Sequence, residues 1–302
     1  MPDKPISRWL GIVLLLVIAT TFGANHIAAR IAFEHGANVT TGVAFRSTGT
    51  ALFVLGLLFF HRIPIRIPRK THGRAIFIGC LLAIQSYCLY SAVALIPVAL
   101  ALLAFNTFPM LLALMSWATG GERPAPRALL AMPVALAGLA LALDVWGKSG
   151  DMAGRWQEIG AGVLWATGAA VSFAAVLFLT TRWLSDMDGR LRSFLTLSVV
   201  SVVILAGGAA AGDFRLPVDT VGWSALALLT AFYGIAITWM FVLLPRLGAV
   251  NNSVVLNFEP IALLAMAWVI LDQKIAPLQI LGAFVVVGAI MVLGGGKNKH
   301  GH

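Results

Sequence analysis

The chain has 302 residues, of which 60% are hydrophobic and 11% are charged, and its mean hydropathy is +0.92. Soluble domains carry about 25% charged residues, so this composition excludes a soluble globular enzyme, and it equally excludes a disordered, collagen-like or coiled-coil chain. The net charge of +9 does not indicate nucleic-acid binding, because the basic residues occupy short gaps between long apolar runs.

Ten apolar runs have the length of a bilayer-spanning helix, about 20 residues. The run 75–121 holds 47 residues without a charge. As one helix it would measure about 70 Å, so we divide it into two spans at Pro97. The first run is too long for the apolar region of a signal peptide, and no small-residue cleavage site follows it. We therefore expect this run to be a span and not a cleaved signal peptide. The predicted spans, numbered 1 to 10 in chain order, cover residues 9–29, 40–60, 75–95, 98–119, 128–145, 159–181, 193–212, 222–245, 248–271 and 275–294.

The distribution of Lys and Arg favours one orientation of these spans. With the N-terminus in the cytoplasm, 15 of the 21 Lys and Arg residues lie in inner segments and five lie in outer segments, while Arg46 lies inside span 2. We therefore expect the lipid bilayer to surround the chain and both termini to be cytoplasmic.

The chain matches itself at an offset of 151 residues, which predicts two homologous five-span halves, residues 1–147 and 148–302. Because five is odd, the second half should enter the membrane upside down relative to the first. Inverted repeats of this kind are typical of secondary transporters, whose substrate site lies near the midplane between the halves. The matches between scarce residue types are Asn106 with Asn257, Pro109 with Pro260, Trp117 with Trp268, and Pro126 with Pro277.

Several short motifs resemble those of the EamA-type transporters of the drug/metabolite transporter superfamily. They are Phe22-Gly23-Ala24-Asn25 in span 1, Phe45-Arg46 in span 2, the run from Tyr90 to Pro109, and Gly121-Glu122-Arg123 after span 4. In the second half the match is weaker, because Asp272-Gln273 stands where Gly-Glu is usual.

This resemblance implies an all-α integral membrane fold with ten helices around a central cavity, lined by spans 1, 3, 4, 6, 8 and 9. It also implies export of amino acids or similar amphipathic metabolites across the bacterial inner membrane by alternating access. Within the superfamily, the chain is similar to the bacterial YddG-type aromatic amino-acid exporters.

Two ionisable residues stand out inside the spans, where such residues are costly and usually functional. Glu259 lies near the middle of span 9, and its repeat mate is Phe108. It is either a proton site and contact for a substrate amine, or a structural carboxyl facing a watery cavity. Arg46 is about six residues into span 2, and we interpret it as an arginine that extends its side chain to the outer membrane surface. The alternative is a partner for Glu259 or for a substrate carboxylate.

Spans 4 and 9 share the pattern Asn-x-x-Pro. A proline inside a helix removes one backbone hydrogen bond and kinks the helix, and the preceding Asn can bond the freed groups or contact substrate. We therefore predict hinges at Pro109 and Pro260, with a static packing kink as the alternative.

Other polar and aromatic side chains fall on the spans that would line the cavity. For the residues of spans 1, 6 and 8 taken singly, buried packing or an interfacial aromatic is the more ordinary role, and for the tyrosines of span 3 helix packing is an equal alternative. Tyr233 of span 8 is one of the weaker candidates. The predicted substrate cavity comprises Asn25, His26, Tyr87, Tyr90, Asn106, Trp165, Trp239, Asn257 and Glu259.

Other functions have less support in the sequence. No P-loop, zinc-protease or serine-hydrolase motif occurs, so an intramembrane enzyme is a remote alternative, and no cofactor or metal is expected. The sequence shows no repeated rings of charge, which a channel would need, and no soluble domain, which a receptor would need. Drugs, nucleosides or other metabolites are the alternative substrates. Small residues in spans 5 and 10 predict either a scaffold or a homodimer contact.

Overall fold

A computed structural model describes residues 8–63, 69–121, 126–144, 152–247, 259–273 and 276–294. Within these ranges the regular structure is entirely helical, as expected for a chain whose backbone polar groups must be satisfied inside lipid. The helices are α1 Arg8–Glu34, α2 Val39–Phe60, α3 Arg69–Leu95, α4 Val98–Phe105, α5 Phe108–Ala118, α6 Pro126–Ala142, α7 Met152–Trp183, α8 Gly189–Ala211, α9 Thr220–Leu247, α10 Glu259–Ile270 and α11 Pro277–Gly294.

The helices are long and apolar enough to make this a membrane protein. Seven helical stretches, with α4 and α5 counted as one, have the length and hydropathy of a membrane span. Three shorter apolar helices lie at Leu129–Ala142, Ile261–Ile270 and Pro277–Ala289. The total of ten spans stays a prediction, as does the boundary between residues 147 and 148, which lies outside the described residues.

Span 4, which we predicted as one helix kinked at Pro109, consists of two helices. Helix α4 ends at Phe105 and α5 begins at Phe108, with Pro109 in its first turn. At the break, the Asn106 side-chain amide donates to the Leu102 carbonyl at 2.8 Å, and the Thr107 hydroxyl donates to the Ala104 carbonyl at 2.8 Å. These side chains bond carbonyls at the end of α4, so the break costs few hydrogen bonds.

The packing between helices follows the sequence repeat. Helix α1 packs against α9, and α3 packs against α7. Exchanging the two halves of the chain converts the first of these pairs into the second. The same exchange relates the α2–α9 and α3–α8 pairs, while α2–α8 and α6–α11 map onto themselves. Helices α1–α3 therefore interleave with α7–α9, and the two repeats form one shared core.

Helices α6 and α11 pack closely at two glycines. A Cβ on Gly282 would lie 2.6 Å from the Gly138 carbonyl oxygen and 2.9 Å from Ala142 Cα. Ala135 of α6 and Ala283 of α11 are also buried. Small residues of spans 5 and 10 are thus used inside the chain, and a homodimer through these spans stays a prediction.

The loop between α1 and α2 is bonded to the loop between α8 and α9. The Asn38 side chain, which caps α2, donates to the Asp213 carbonyl and carboxylate at 2.9 Å, and the Thr40 hydroxyl donates to Asp213 at 2.7 Å. His35 Nδ1 lies 2.6 Å from Asp219 Oδ2. These bonds join the two repeats at the end of the helices that the charge distribution places outside.

Candidate functional site

Buried and half-buried polar side chains from five helices of both repeats meet in the interior. We call this group the polar cluster. It consists of Asn25 and His26 of α1, Arg46 of α2, Ser86 and Tyr90 of α3, Tyr233 of α9, and Glu259 of α10.

Tyr90 connects the other members of the polar cluster. Its side chain is fully buried, and its hydroxyl donates to Asn25 Oδ1 at 3.0 Å. The Tyr90 ring centroid lies 5.7 Å from that of His26 and 4.9 Å from Arg46 Cζ. One aromatic ring therefore contacts residues of both α1 and α2.

Arg46 lies inside the polar cluster, so the interpretation that it reaches the outer membrane surface is wrong. Only 5% of the residue is exposed. Its Nη2 donates to the Ser86 hydroxyl at 2.8 Å, and its Cζ lies 4.1 Å from the centroid of the Tyr233 ring. The helix explains this placement, because Arg46 shares a face with the fully buried Val43 and Ser47, three residues before it and one after.

Glu259 faces His26 across the boundary between the repeats. The Glu259 Oε1 oxygen lies 3.8 Å from His26 Nε2, and 25% of the Glu259 side chain is exposed. This distance is too long for a direct hydrogen bond, and a water molecule could bridge the two groups. Glu259 is thus a carboxyl with an open side, placed beside a buried imidazole.

Several atoms of the polar cluster have no hydrogen-bond partner among the described residues. They are Asn25 Nδ2, His26 Nδ1 and Arg46 Nε. Buried polar atoms are nearly always bonded, so each such atom calls for a partner beyond those that the described residues provide. A cation, an acid and unbonded amide and imidazole nitrogens in one interior group are suited to binding a small polar molecule.

The structure brings together only some of the residues predicted for the cavity. Tyr87 packs its ring on Trp165 with centroids 6.1 Å apart, which joins α3 to α7 one turn before Tyr90. The Asn106 side-chain amide donates to the Leu102 carbonyl at the end of α4. Trp239 is 40% exposed, and no contact between it and the polar cluster is seen in the described part of the chain. Asn257 and the side chain of Pro260 lie outside the described residues.

The position related to the polar cluster by the repeat is aromatic. At the 151-residue offset, Glu259 corresponds to Phe108. The Phe108 ring packs against Phe173 and Phe105, with centroid distances of 4.8 Å and 5.4 Å. One of the two equivalent positions is therefore polar, and the other is lined by phenylalanine.

Two cavities among the described residues are apolar, and the polar cluster does not line either of them. One, of about 370 Å³, lies between α10 and α11 and is lined by Ile261, Trp268 and Phe284 with their neighbours. The other, of about 340 Å³, lies between α1 and α9 beside Ile270.

These features define a multi-spanning helical membrane protein with an internal polar site shared by two repeats. The EamA-like transporter family matches the chain twice, over residues 9–143 and 160–295. The chain therefore belongs to the EamA-like transporter family, membrane transporters of the drug/metabolite transporter superfamily.

Two further comparisons concern fold and curated relatives. A solved structure described only as "Crystal structure of protein" superposes with a TM-score of 0.67 at 17% identity, covering 95% of this chain and 98% of that one. At this identity the likeness concerns the fold alone. No curated protein matches the chain significantly.

Proposed function

We propose that this protein is a secondary transporter that exports amino acids or similar small amphipathic metabolites from the bacterial cytoplasm by alternating access. The observation that carries the proposal is the polar cluster. Its residues come from both repeats, so any relative movement of the repeats would change the access to it. Drugs, nucleosides and other metabolites are the alternative substrates.

The proposed architecture is ten spans in two inverted repeats, with both termini in the cytoplasm of a bacterial inner membrane. The bias of Lys and Arg toward the inner segments supports this orientation. The exchange-related packing of α1 on α9 and α3 on α7 supports a two-fold relation between the repeats.

The proposed substrate has a polar head and an apolar body. Asn25, Arg46 and Glu259 offer contacts for a polar head. The cluster of Phe105, Phe108 and Phe173 lies at the repeat-related position and offers an aromatic surface for an apolar side chain. The predicted contact through Asn257 stays part of this proposal. Aromatic amino acids are one such class, as the resemblance of the sequence implies.

The proposed movement is centred on the break between α4 and α5. Two separate helices joined at Asn106 and Thr107 can change their angle without breaking helical hydrogen bonds inside either one. Pro109 keeps the two from fusing, because its nitrogen has no proton to donate. Pro260 is the corresponding proposed hinge of the second repeat.

Counterflow in proteoliposomes tests the proposed function. Vesicles are loaded with an unlabelled amino acid, and uptake of the same labelled amino acid is followed for each of the twenty. Saturable uptake that depends on the internal amino acid is expected for at least one of them, whereas a channel gives uptake that does not saturate. Protein-free vesicles are the control. Failure with all twenty contradicts the amino-acid assignment, and nucleosides and cationic drugs are then tested in the same assay.

A further inference from the structure

Arg46 is a buried cation whose described partners are all neutral. They are the Ser86 hydroxyl at 2.8 Å and the ring faces of Tyr90 and Tyr233, at 4.9 Å and 4.1 Å from Cζ. In the described part of the chain no carboxylate lies within 4.0 Å of its nitrogens, and Nε has no partner. A buried guanidinium without an anion is unfavourable, so an anionic ligand would gain an interaction that the described residues leave unmade.

The two tyrosine rings hold the guanidinium group in a fixed position. Contacts of a cation with ring faces are favourable and do not occupy the N–H groups that lie in the guanidinium plane. The unpartnered Nε–H belongs to the planar fork that matches a carboxylate with two parallel hydrogen bonds. Asn25 Nδ2, which is also buried and unpartnered, is a second donor in the same polar cluster.

An acid lies in the same cluster as this cation. The Tyr90 ring contacts both Arg46 and His26, and His26 Nε2 is 3.8 Å from Glu259. A ligand that places its carboxylate at Arg46 therefore has a carboxyl available for a positively charged group. A phosphate dianion would meet one arginine and a nearby acid, which disfavours phosphorylated substrates.

We infer that Arg46 binds the carboxylate of the transported substrate, and that the substrate class is a zwitterion with a carboxylate and an ammonium group. This inference rests on the proposed function. It assigns a specificity-determining role to a residue outside the predicted cavity, and it separates amino acids from drugs and nucleosides.

The test compares amino acids with their amides in the counterflow assay. Labelled L-phenylalanine and L-leucine compete with phenylalaninamide and leucinamide, which keep the ammonium group and side chain but lack the carboxylate. For wild-type protein the acids should compete at least about 100-fold better than the amides, because a site built to bond a group rejects analogues that lack it. In Arg46→Gln this preference should disappear through weaker binding of the acids, with amide binding unchanged. Arg46→Lys, which keeps the charge without the fork, should be intermediate.

Arg74→Gln is the matched control, because Arg74 also lies over an aromatic ring, that of Trp183, but at an exposed position. It should keep the full preference for acids. If Arg46→Gln fails to fold, acid and amide are compared in wild-type protein by the thermal stabilisation that each of them gives. The role of Arg46 is overturned if acid and amide compete equally in wild type, or if folded Arg46→Gln keeps the preference for acids. In either case, exchange of amino acids would still support transport. Absence of exchange with any amino acid overturns both proposals.

Discussion

His26 Nε2 lies 3.8 Å from Glu259 Oε1, so a carboxyl of the second repeat faces an imidazole of the first. Their repeat-related positions are Leu177 and Phe108, both apolar. The two repeats therefore differ in chemistry at these positions, where they approach each other. A carboxyl at such a boundary can exchange a proton with water on one side and interact with His26 on the other when the repeats move.

We expect Glu259→Gln to uncouple transport from protons. Glutamine keeps the size of the side chain but cannot release a proton, so counterflow should continue while uptake driven by an imposed pH gradient is lost. Both fluxes are measured in proteoliposomes for one amino acid. Glu34→Gln, at the exposed end of α1, is the control and should keep both fluxes. Gradient-driven uptake by Glu259→Gln at the wild-type rate would show that Glu259 is structural.

Tyr90→Phe should destabilise the protein and weaken substrate binding. The change removes the hydroxyl that donates to Asn25 Oδ1 and leaves the side chain of Asn25 without its one described partner. A buried acceptor left unbonded costs about 1–3 kcal/mol in the free energy of unfolding. Thermal unfolding in detergent measures the change. Tyr87→Phe, in the half-buried ring pair with Trp165, is the matched control and should unfold close to wild type.

Pro109→Ala tests whether the break between α4 and α5 moves during transport. Alanine restores a backbone N–H in the first turn of α5, which allows the two helices to join into one. If the break is a hinge, the maximal counterflow rate should fall by about tenfold or more while substrate binding is kept, because slower conformational steps reduce turnover. Pro133→Ala, inside α6, is the control. An unchanged rate in Pro109→Ala would make the break a static feature of packing.

The broad class of the fold could be predicted from the sequence because lipid imposes strong rules. Long charge-free runs must be helices, and scarce residues such as Asn106 and Asn257 revealed the repeat. The break at span 4 was only partly predicted. Pro109 indicated a kink, but the way Asn106 and Thr107 bond the end of α4 depends on side-chain geometry that spacing does not determine.

Arg46 shows where the sequence interpretation failed in the candidate site. A depth of about six residues seemed short enough for the side chain to reach the membrane surface. The face of the helix decides instead, and the neighbours Val43, Ser47 and Thr50 follow the spacing of a buried stripe. That signal was present in the sequence. The convergence of Tyr90 and Tyr233 on one arginine was not, because it depends on how α3 and α9 pack around α2.

Gly282→Ala should destabilise the packing of α6 on α11. The new methyl group would lie 2.6 Å from the Gly138 carbonyl oxygen, and backbone atoms cannot move aside without separating the helices. Overpacking of this kind costs about 1–3 kcal/mol. Gly288→Ala, on the same helix, meets nothing within 4 Å and should unfold at or slightly above the wild-type temperature. Equal unfolding temperatures for the two variants would contradict the close packing.

The bond between His35 and Asp219 should stabilise the outer connection of the repeats in a pH-dependent way. The Gly222 amide and the His35 ring both bond the Asp219 carboxylate and hold its pKa below the usual range. Because the pKa of Asp219 is lower in the folded protein than in the unfolded chain, ionisation of this carboxylate stabilises the folded state at pH values above the unfolded pKa, about 3.9. This stabilisation is lost as the pH falls through the folded pKa. Asp219→Asn should therefore unfold at a lower temperature than wild type at pH 7, and the difference should disappear in strong acid, where the Asp219 carboxylate of the folded protein is protonated.

Asp186→Asn is the control for this comparison, because Asp186 is exposed in the loop between α7 and α8, at the opposite end of the helices. It should unfold like wild type at both pH values. Thermal unfolding in a detergent that is stable in acid measures all three proteins. A difference between wild type and Asp219→Asn that persists unchanged at low pH would show that the charge of Asp219 does not hold the two loops together, and the bonds from Asn38 and Thr40 to Asp213 would then carry that connection.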